Sequence, residues 1–281
     1  MPETATFWRH PRFADLGLLA ARFTQHRYEL HTHPTYVIAL ITEGCERVRV
    51  SRETVLAPAG SVLVVNPEEW HDGEAGAESG WAYRTFYPTV DLMSGIAREL
   101  GREHTPMFPR RLIEDRALAA ALRAAHESSM SHEAAEAETA MLVALRRLLL
   151  RYGDWGQQPE ETEDSGAHRR LARYAQAIEQ DLASTLDLQR LARTAGVTRF
   201  QVIRDFKKVT GLTPGAFIRD RRLRRASALI GEGAGLAEAA AAAGFADQSH
   251  LSRAFRTMHG VTPGAFRKGW LAPRDAGRRI V

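Results

Sequence analysis

RDFKKVTGLTPGAF, residues Arg204–Phe217, returns 49 residues later as RAFRTMHGVTPGAF, residues Arg253–Phe266, with eight of the fourteen positions identical. An internal repeat of this length means one supersecondary unit built twice. Reading upstream from each copy shows what the unit is. In the first, Leu188, Leu191 and Ala192 give a short helix an apolar face, and Gly196 ends it, because glycine readily takes the left-handed conformation past a helix C-terminus. Thr198 is an N-cap, and Gln201, three residues on, completes a capping box. Val202, Phe206 and Val209 fall on one face of the helix that follows, Gly211 stops it, and Thr213-Pro214 starts another. The second copy repeats this grammar. Ala237–Ala243 form its first helix, Gly244 ends it, Asp247 caps the next, Leu251, Phe255 and Met258 are buried, and Thr262-Pro263 caps again. Two helices around a glycine turn make a helix-turn-helix. The shared Phe, Gly, Thr-Pro and Phe are therefore core, stop, cap and core.

The shared Arg is not scaffold. Opposite the first buried stripe stand Phe200, Arg204, Lys207 and Lys208, with Gln201 and Ile203 at the rims. Opposite the second stand Ser249, Arg253 and Arg256, with His250 and Ser252 at the rims. A major groove admits such a helix, and Arg can bond guanine bidentately there. For Arg204 and Arg253, a base contact competes evenly with a phosphate contact or a surface ion pair. Lys207, Lys208 and Arg256 read as phosphate ligands, which set affinity rather than sequence choice.

Charge agrees with this placement. Residues 1–167 carry 17 Lys/Arg against 25 Asp/Glu, whereas residues 168–281 carry 21 against 9. A basic half on an acidic chain points to a polyanion, and its short, turn-punctuated helices suit double-stranded DNA better than a membrane. No apolar run approaches the roughly 20 residues of a membrane span. The N-terminus has no signal-peptide core, and the single cysteine, Cys45, excludes an intrachain disulfide. A cytoplasmic location is the expectation. The polar, acidic stretch 153–168, GDWGQQPEETEDSGAH, has linker composition.

Upstream of that stretch, short apolar runs (YVIALIT, ERVRV, SVLVVN, WAYRTFY) between turn signals such as Asp72-Gly73 predict a β-sandwich or small barrel over residues 20–90. Helices are expected over 112–128 and 133–152. In the second, Ala137, Met141, Ala144, Leu145, Leu148 and Tyr152 form a stripe that either covers the sheet or pairs with a second chain.

The C-terminal hundred residues resemble the DNA-binding domain of the arabinose-regulator (AraC/XylS) family of bacterial transcription factors, most specifically in AGFADQSHLSRAFRTMHGVTPGAFR, residues 243–267. The resemblance implies two helix-turn-helix units joined by a long helix, about Pro214–Ile230, which place their second helices in successive major grooves. It also implies base-facing positions at Phe200, Ile203 and Arg204 in the first unit, and at Gln248, Ser249, Ser252 and Arg253 in the second. Phe200 and Ile203 can touch only a thymine methyl, so Arg204 should dominate hydrogen-bonded readout in the first unit.

The segments HTHPTYVIALITEG (His31–Gly44) and PAGSVLVVNPEEWHDG (Pro58–Gly73) are similar, more weakly, to the cupin-like ligand-binding domain of the same family. The likeness rests on the His-x-His pair, Gly44, Pro58-x-Gly60 and Pro67…His71. His31 and His33, two apart, would share a strand face, and His71 could join them. Three readings stay open: hydrogen-bonding groups of an effector pocket, a divalent metal site of zinc, iron or manganese, or strand-end histidines with neither role. The glutamate that cupin metal enzymes usually add falls at Val37 here. In WAYRTFYP, Tyr83 shares a face with Trp81, Thr85 and Tyr87 and is a pocket candidate. Arg84, on the other face, would serve an anionic effector if it pointed inward.

The resulting expectation is a multidomain α and β protein. A cupin-like effector-binding β-barrel (1–110) precedes a helical dimerisation region (111–153), a linker (154–168) and an all-α double helix-turn-helix domain (169–281). It is expected to be a non-enzymatic, effector-responsive transcriptional regulator with no certain cofactor beyond a small-molecule effector. Its partners would be DNA, a second copy through helix 133–152 and, in an activator, RNA polymerase. The alternatives are a metal-dependent cupin enzyme fused to a DNA-binding domain, and an effector-independent regulator whose N-terminal domain only dimerises.

Overall fold

The computed structural model describes residues 2–51, 53–130, 133–155, 165–184 and 187–272. It forms two compact units, Met1–Gly156 with His259–Val281, and Gln157–Met258. The centre of the expected linker, 156–164, lies outside the described residues.

The first unit is built on β1 (Thr4–Arg9), β2 (Leu16–Phe23), β3 (Arg27–His31), β4 (Val37–Val50), β5 (Glu53–Pro58), β6 (Val62–Val65), β7 (His71–Ala75), β8 (Trp81–Pro88) and β9 (Leu112–Ile113). One run of strands is ordered β1-β2-β8-β4-β6-β9, and β4 also pairs with β5 and β7, which in turn holds β3. The sheet does not close, so the expected barrel is an open two-layered sheet. The fourteen-residue β4 belongs to both layers. Its first half, Val37–Gly44, pairs with β6 and β8, and its second half, Cys45–Val50, pairs with β5 and β7. The crossover falls at Gly44, whose φ of 65° is left-handed. Strands that switch sheets turn the corner at such irregularities. In the second half Glu46, Val48 and Val50 are buried, while Arg47 and Arg49 face outward. Those two arginines pair with Glu74 and Asp72 of β7.

Asp72-Gly73 is not a turn, as its residue types suggest, but part of β7. A Cβ at position 73 would lie 2.6 Å from Glu46 Oε1, so a larger residue there would require the Glu46 carboxylate to shift. The named apolar runs account for β4, β6 and β8, with YVIALIT and ERVRV joined in the one strand β4; β1, β2, β3, β5, β7 and α1 (Val90–Glu99) were not legible as separate units. The first two residues of the helix expected at 112–128 instead pair with β6 as β9. Helix α2 (Arg116–Ser128) then starts where Asp115 caps it, accepting from the Ala117 and Leu118 amides.

Helix α3 (Ala134–Tyr152) settles the double reading of its stripe. Ala137, Met141, Ala144, Leu145 and Leu148 are all buried within this chain. All but Ala137 belong to one cluster with Leu16, Ile38, Leu40 and Phe86 of the sheet and Leu118 and Leu122 of α2. The stripe covers the sheet, and that face of the helix is not available to a second chain. The opposite face carries exposed Val143 and Leu150.

The second unit contains α4 (Ser165–Glu179), α5 (Leu188–Ala195), α6 (Arg199–Thr210), α7 (Pro214–Gly231), α8 (Leu236–Ala242) and most of α9 (Gln248–His259). Of the segment expected as one all-α domain, α10 (Pro263–Leu271) clusters with the first unit, and residues 273–281 lie outside those described. Phe266 of α10 stands 4.8 Å from Phe7 of β1 between ring centroids. Gly269 allows the close approach, since a Cβ there would fall 1.9 Å from the Phe7 carbonyl oxygen.

Candidate functional site

The helix-turn-helix geometry appears twice in the second unit. Gly196 and Gly244 take left-handed φ values of 65° and 82° at the turns. Thr198 caps α6 by accepting from the Gln201 amide, and Asp247 accepts from the His250 amide at the start of α9. The caps Thr213 and Thr262 begin α7 and α10 as the Thr-Pro pairs imply. Beneath α6, Phe206 lies between Tyr174 of α4 (5.6 Å) and Phe217 of α7 (5.1 Å). Leu251, Phe255 and Met258 are buried under α9.

The outward faces carry the residues expected there. Phe200 is 76% exposed. Arg204, Lys207 and Lys208 on α6 are exposed or partly so, as are Gln248, Ser249, His250, Arg253 and Arg256 on α9. Ile203, Gln201 and Ser252 are half-buried at the rims. Each helix thus presents a basic outward face over an apolar underside, polar throughout on α9 and interrupted on α6 by the exposed Phe200.

Gln201 departs from the capping-box expectation. Its side chain turns instead to its own helix: Nε2 donates to Asp205 (2.7 Å), and Oε1 accepts from Arg204 (2.7 Å). Asp205, 1% exposed, also accepts from the Arg170 Nε and Nη2 (2.7 and 2.8 Å) and from the Tyr174 hydroxyl (3.0 Å). Burial alone would raise the Asp205 carboxyl, but hydrogen bonds from Arg170, Gln201 and Tyr174 outweigh it and hold it below the usual carboxylate range. Sequence reasoning missed this network, because an Asp inside an amphipathic helix reads as surface. The only hint was that position 205 falls beside the stripe residues Val202, Phe206 and Val209. Arg222 was missed for the same reason. It donates to the carbonyls of Leu182 and Ser184, both at 2.8 Å, and so ties α7 to the chain segment that precedes α5.

The second candidate site is the interior between the two layers of the first unit. Strand β3 ends at His31, so His31 and His33 do not share a strand face; His33 comes from the loop before β4. A register shift after Tyr28 lets both Tyr28 and His31 point inward. The Nε2 atoms of His31 and His33 are nevertheless 3.0 Å apart, and His71 joins them with its ring centroid 4.4 Å from that of His31. The loop that delivers His71 is pinned. Asn66 donates to the Phe108 carbonyl (3.0 Å) and accepts from its amide (2.8 Å), while Glu69 accepts from the Asn66 amide (3.0 Å) and pairs with Arg111. Tyr83 faces the same interior, its hydroxyl 2.6 Å from that of Tyr28. Glu46, 6% exposed, lies there too, and burial pushes its carboxyl up to about 8.

Arg84 is not brought to this interior. On the other face of β8 it pairs with Glu127 (3.2 Å) and lies 3.1 Å from His126 Nδ1, under α2. His126 is itself lowered to about 3 by burial and by that guanidinium. Among the described residues no helix is long and apolar enough to cross a membrane.

Comparison with known proteins identifies the two domains in which these candidate sites lie. Residues 13–150 match the AraC-like ligand binding domain, and residues 191–269 match a helix-turn-helix domain. The chain is 27% identical over 253 residues to the HTH-type transcriptional regulator YbfI of Bacillus subtilis, covering 89% of this chain and 90% of that one. It is 36% identical over 100 residues to the TetD protein of transposon Tn10 from Escherichia coli, covering 35% of this chain and 72% of that one. Crystal structures of ToxT from Vibrio cholerae share the fold. An apo form carrying a single substitution matches at a TM-score of 0.53 and 12% identity, over 94% of this chain and 96% of that one. A wild-type form bound to an unsaturated fatty acid matches at 0.53 and 10%, over 95% and 94%. A ligand-binding domain followed by paired helix-turn-helix units, with relatives that are transcriptional regulators, makes this chain a member of the AraC family, an effector-responsive DNA-binding regulator of transcription.

Proposed function

We propose that the outward faces of α6 and α9 are the DNA-reading surfaces, one to each of two successive major grooves. The observation that carries this is the paired geometry: two capped helices with buried undersides, each presenting an exposed Arg at the same place in the repeat, Arg204 and Arg253. In this reading Arg204 and Arg253 meet base edges, and Lys207, Lys208 and Arg256 meet phosphates. Phe200 and Ile203 offer apolar contact to a thymine methyl, and Gln248, Ser249 and Ser252 complete the second half-site. Gln201 orients Arg204 by the hydrogen bond between them. His250 stacks edge-on against Phe245 at 5.2 Å, which supports a positioning role for it.

The test is selection of DNA sites by the full chain, followed by Arg253→Ala. Its affinity for the selected site should fall by about 1–3 kcal/mol, with specificity relaxed at one base pair. An equal loss on every sequence would make Arg253 a phosphate contact instead.

The effector site is the inter-layer interior, with His31, His33, His71 and Tyr83 among its polar groups. Arg84 belongs to the packing under α2. That a protein of the same fold has been solved with an unsaturated fatty acid supports a small-molecule effector. Binding would alter how two DNA-binding units of a dimer are presented, in the cytoplasm, to neighbouring half-sites and, in an activator, to RNA polymerase.

Dimerisation is assigned to the outward face of α3. Val143 and Leu150, one heptad apart, are 57% and 52% exposed there, and apolar side chains so spaced share a helix face. The double substitution Val143→Glu and Leu150→Glu should convert a dimer to a monomer in sedimentation while leaving the melting curve of the sheet-bearing unit intact. A wild-type chain that sediments as a monomer removes this assignment.

A further inference from the structure

His31 and His71 are oriented in the same way. His31 places Nδ1 2.7 Å from the Glu29 carbonyl oxygen, and His71 places Nδ1 2.9 Å from the Glu69 carbonyl oxygen, in each case two residues earlier in the chain. A carbonyl oxygen only accepts, so Nδ1 carries the hydrogen in both rings and Nε2 is the electron-pair donor. The His33 Nε2 lies 3.0 Å from the His31 Nε2, and one ligand atom from each of the three rings falls within 4.8 Å of the others. Two nitrogens held tetrahedrally at about 2.0–2.1 Å from one zinc stand roughly 3.4 Å apart. The spacing found here brackets that value. Metal-bound histidines commonly donate the other ring N–H to a carbonyl or carboxylate, which fixes tautomer and ring direction. Both His31 and His71 already have that outer partner.

We propose that His31, His33 and His71 bind one divalent first-row transition ion of the zinc class through their imidazole nitrogens. Three neutral nitrogen donors select against magnesium and calcium, which take oxygen ligands. The position where cupin metal enzymes carry a carboxylate is the buried aliphatic Val37, so the protein set is three nitrogens. A three-ligand set keeps a fourth position for water or for a donor atom of a small molecule. His31 and His71 are supplied by β3 and β7, which pair directly at those two residues, so the paired backbone fixes two ligands before any ion arrives. The proposal concerns the ion site alone and stands whether or not the bound ion changes DNA affinity.

The experiment uses the full-length, untagged chain stripped with a chelator. It is titrated with Co(II) while the visible d–d absorption is followed, and dialysed against Zn(II) with metal analysis. One ion per chain is expected, with the absorption intensity of a four-coordinate cobalt site. Zn(II) should displace the cobalt, Mg(II) should not, and Zn(II) should raise the melting temperature because it binds the folded state. His71→Ala should weaken binding by about tenfold or more. His33→Gln, at a half-buried position, should do the same with an unchanged far-ultraviolet melt in the absence of metal, which separates ligand loss from misfolding. A wild-type chain that takes up neither ion, or binding that survives both substitutions, overturns the proposal and leaves three rings that only share protons.

Discussion

Asp205→Ala is expected to cost the second unit about 2–4 kcal/mol, because it removes the acceptor that joins α6 to Arg170 and Tyr174 of α4. Removing one partner of a fully buried ion pair costs roughly 3–5 kcal/mol. The figure is lower here because the Arg170 side chain keeps 29% of its exposure and can turn to water. The Tyr174 hydroxyl and the Gln201 amide lose their acceptor in the same step. For a unit of about 100 residues, each kcal/mol lowers the melting temperature by about 4–8 °C, so calorimetry of the full chain should show one transition falling well below the other. DNA affinity should fall with it, because Gln201 links Asp205 to Arg204. Asp205→Asn, which keeps an acceptor, should lose less. Equal melting of wild type and Asp205→Ala would show that the network does not carry the α4–α6 contact. Acid should reproduce the effect. The Asp205 carboxyl is depressed in the folded chain, so its contribution is fully present above the unfolded value of about 3.9. It disappears as pH falls through the lower folded value. An Asp205→Asn chain should lack that part of the acid transition.

Gly44→Ala should destabilise the first unit by about 2–4 kcal/mol, combining left-handed strain with a clash that no rotamer relieves. A Cβ on Gly44 would fall 2.0 Å from the carbonyl oxygen of Gly80. Gly80 cannot retreat, since its own φ is 73° and it lies against the Phe23 carbonyl, 2.1 Å from where its Cβ would be. Gly60 is the control. Its φ of 91° is just as unfavourable to a side chain, but nothing lies within 4 Å of the added atom. Gly60→Ala should therefore cost only the backbone term, about 1 kcal/mol. Urea unfolding of the two variants measures the difference. Equal losses would mean that β4 can cross between the layers without the close contact at Gly44.

These two residues mark where sequence reading stops. Gly44 was legible as part of the likeness to the family's ligand-binding domain, but not as the point where one strand leaves one layer for the other, because that depends on the Gly80 carbonyl 36 residues away. Asp205 was invisible as a buried group, because its burial depends on an arginine from a helix outside the repeat. His31 and His33 were paired for the wrong reason. Strand alternation does not apply past His31, and the loop brings the rings together instead.

The sequence by itself determined the repeat, its Thr and Asp caps and glycine stops, the buried stripes of both helix-turn-helix units except half-buried Val209, and hence the basic residues opposite them. All of these follow from local rules: a 3.6-residue period, glycine at left-handed φ, and a threonine hydroxyl that accepts an amide. Only the tertiary structure decided that the α3 stripe covers its own sheet, that Arg84 turns toward α2 rather than the interior, that the sheet stays open, and that three histidines from a strand, a loop and another strand converge. Each of these depends on which distant backbone lies across a layer, and no local periodicity encodes that.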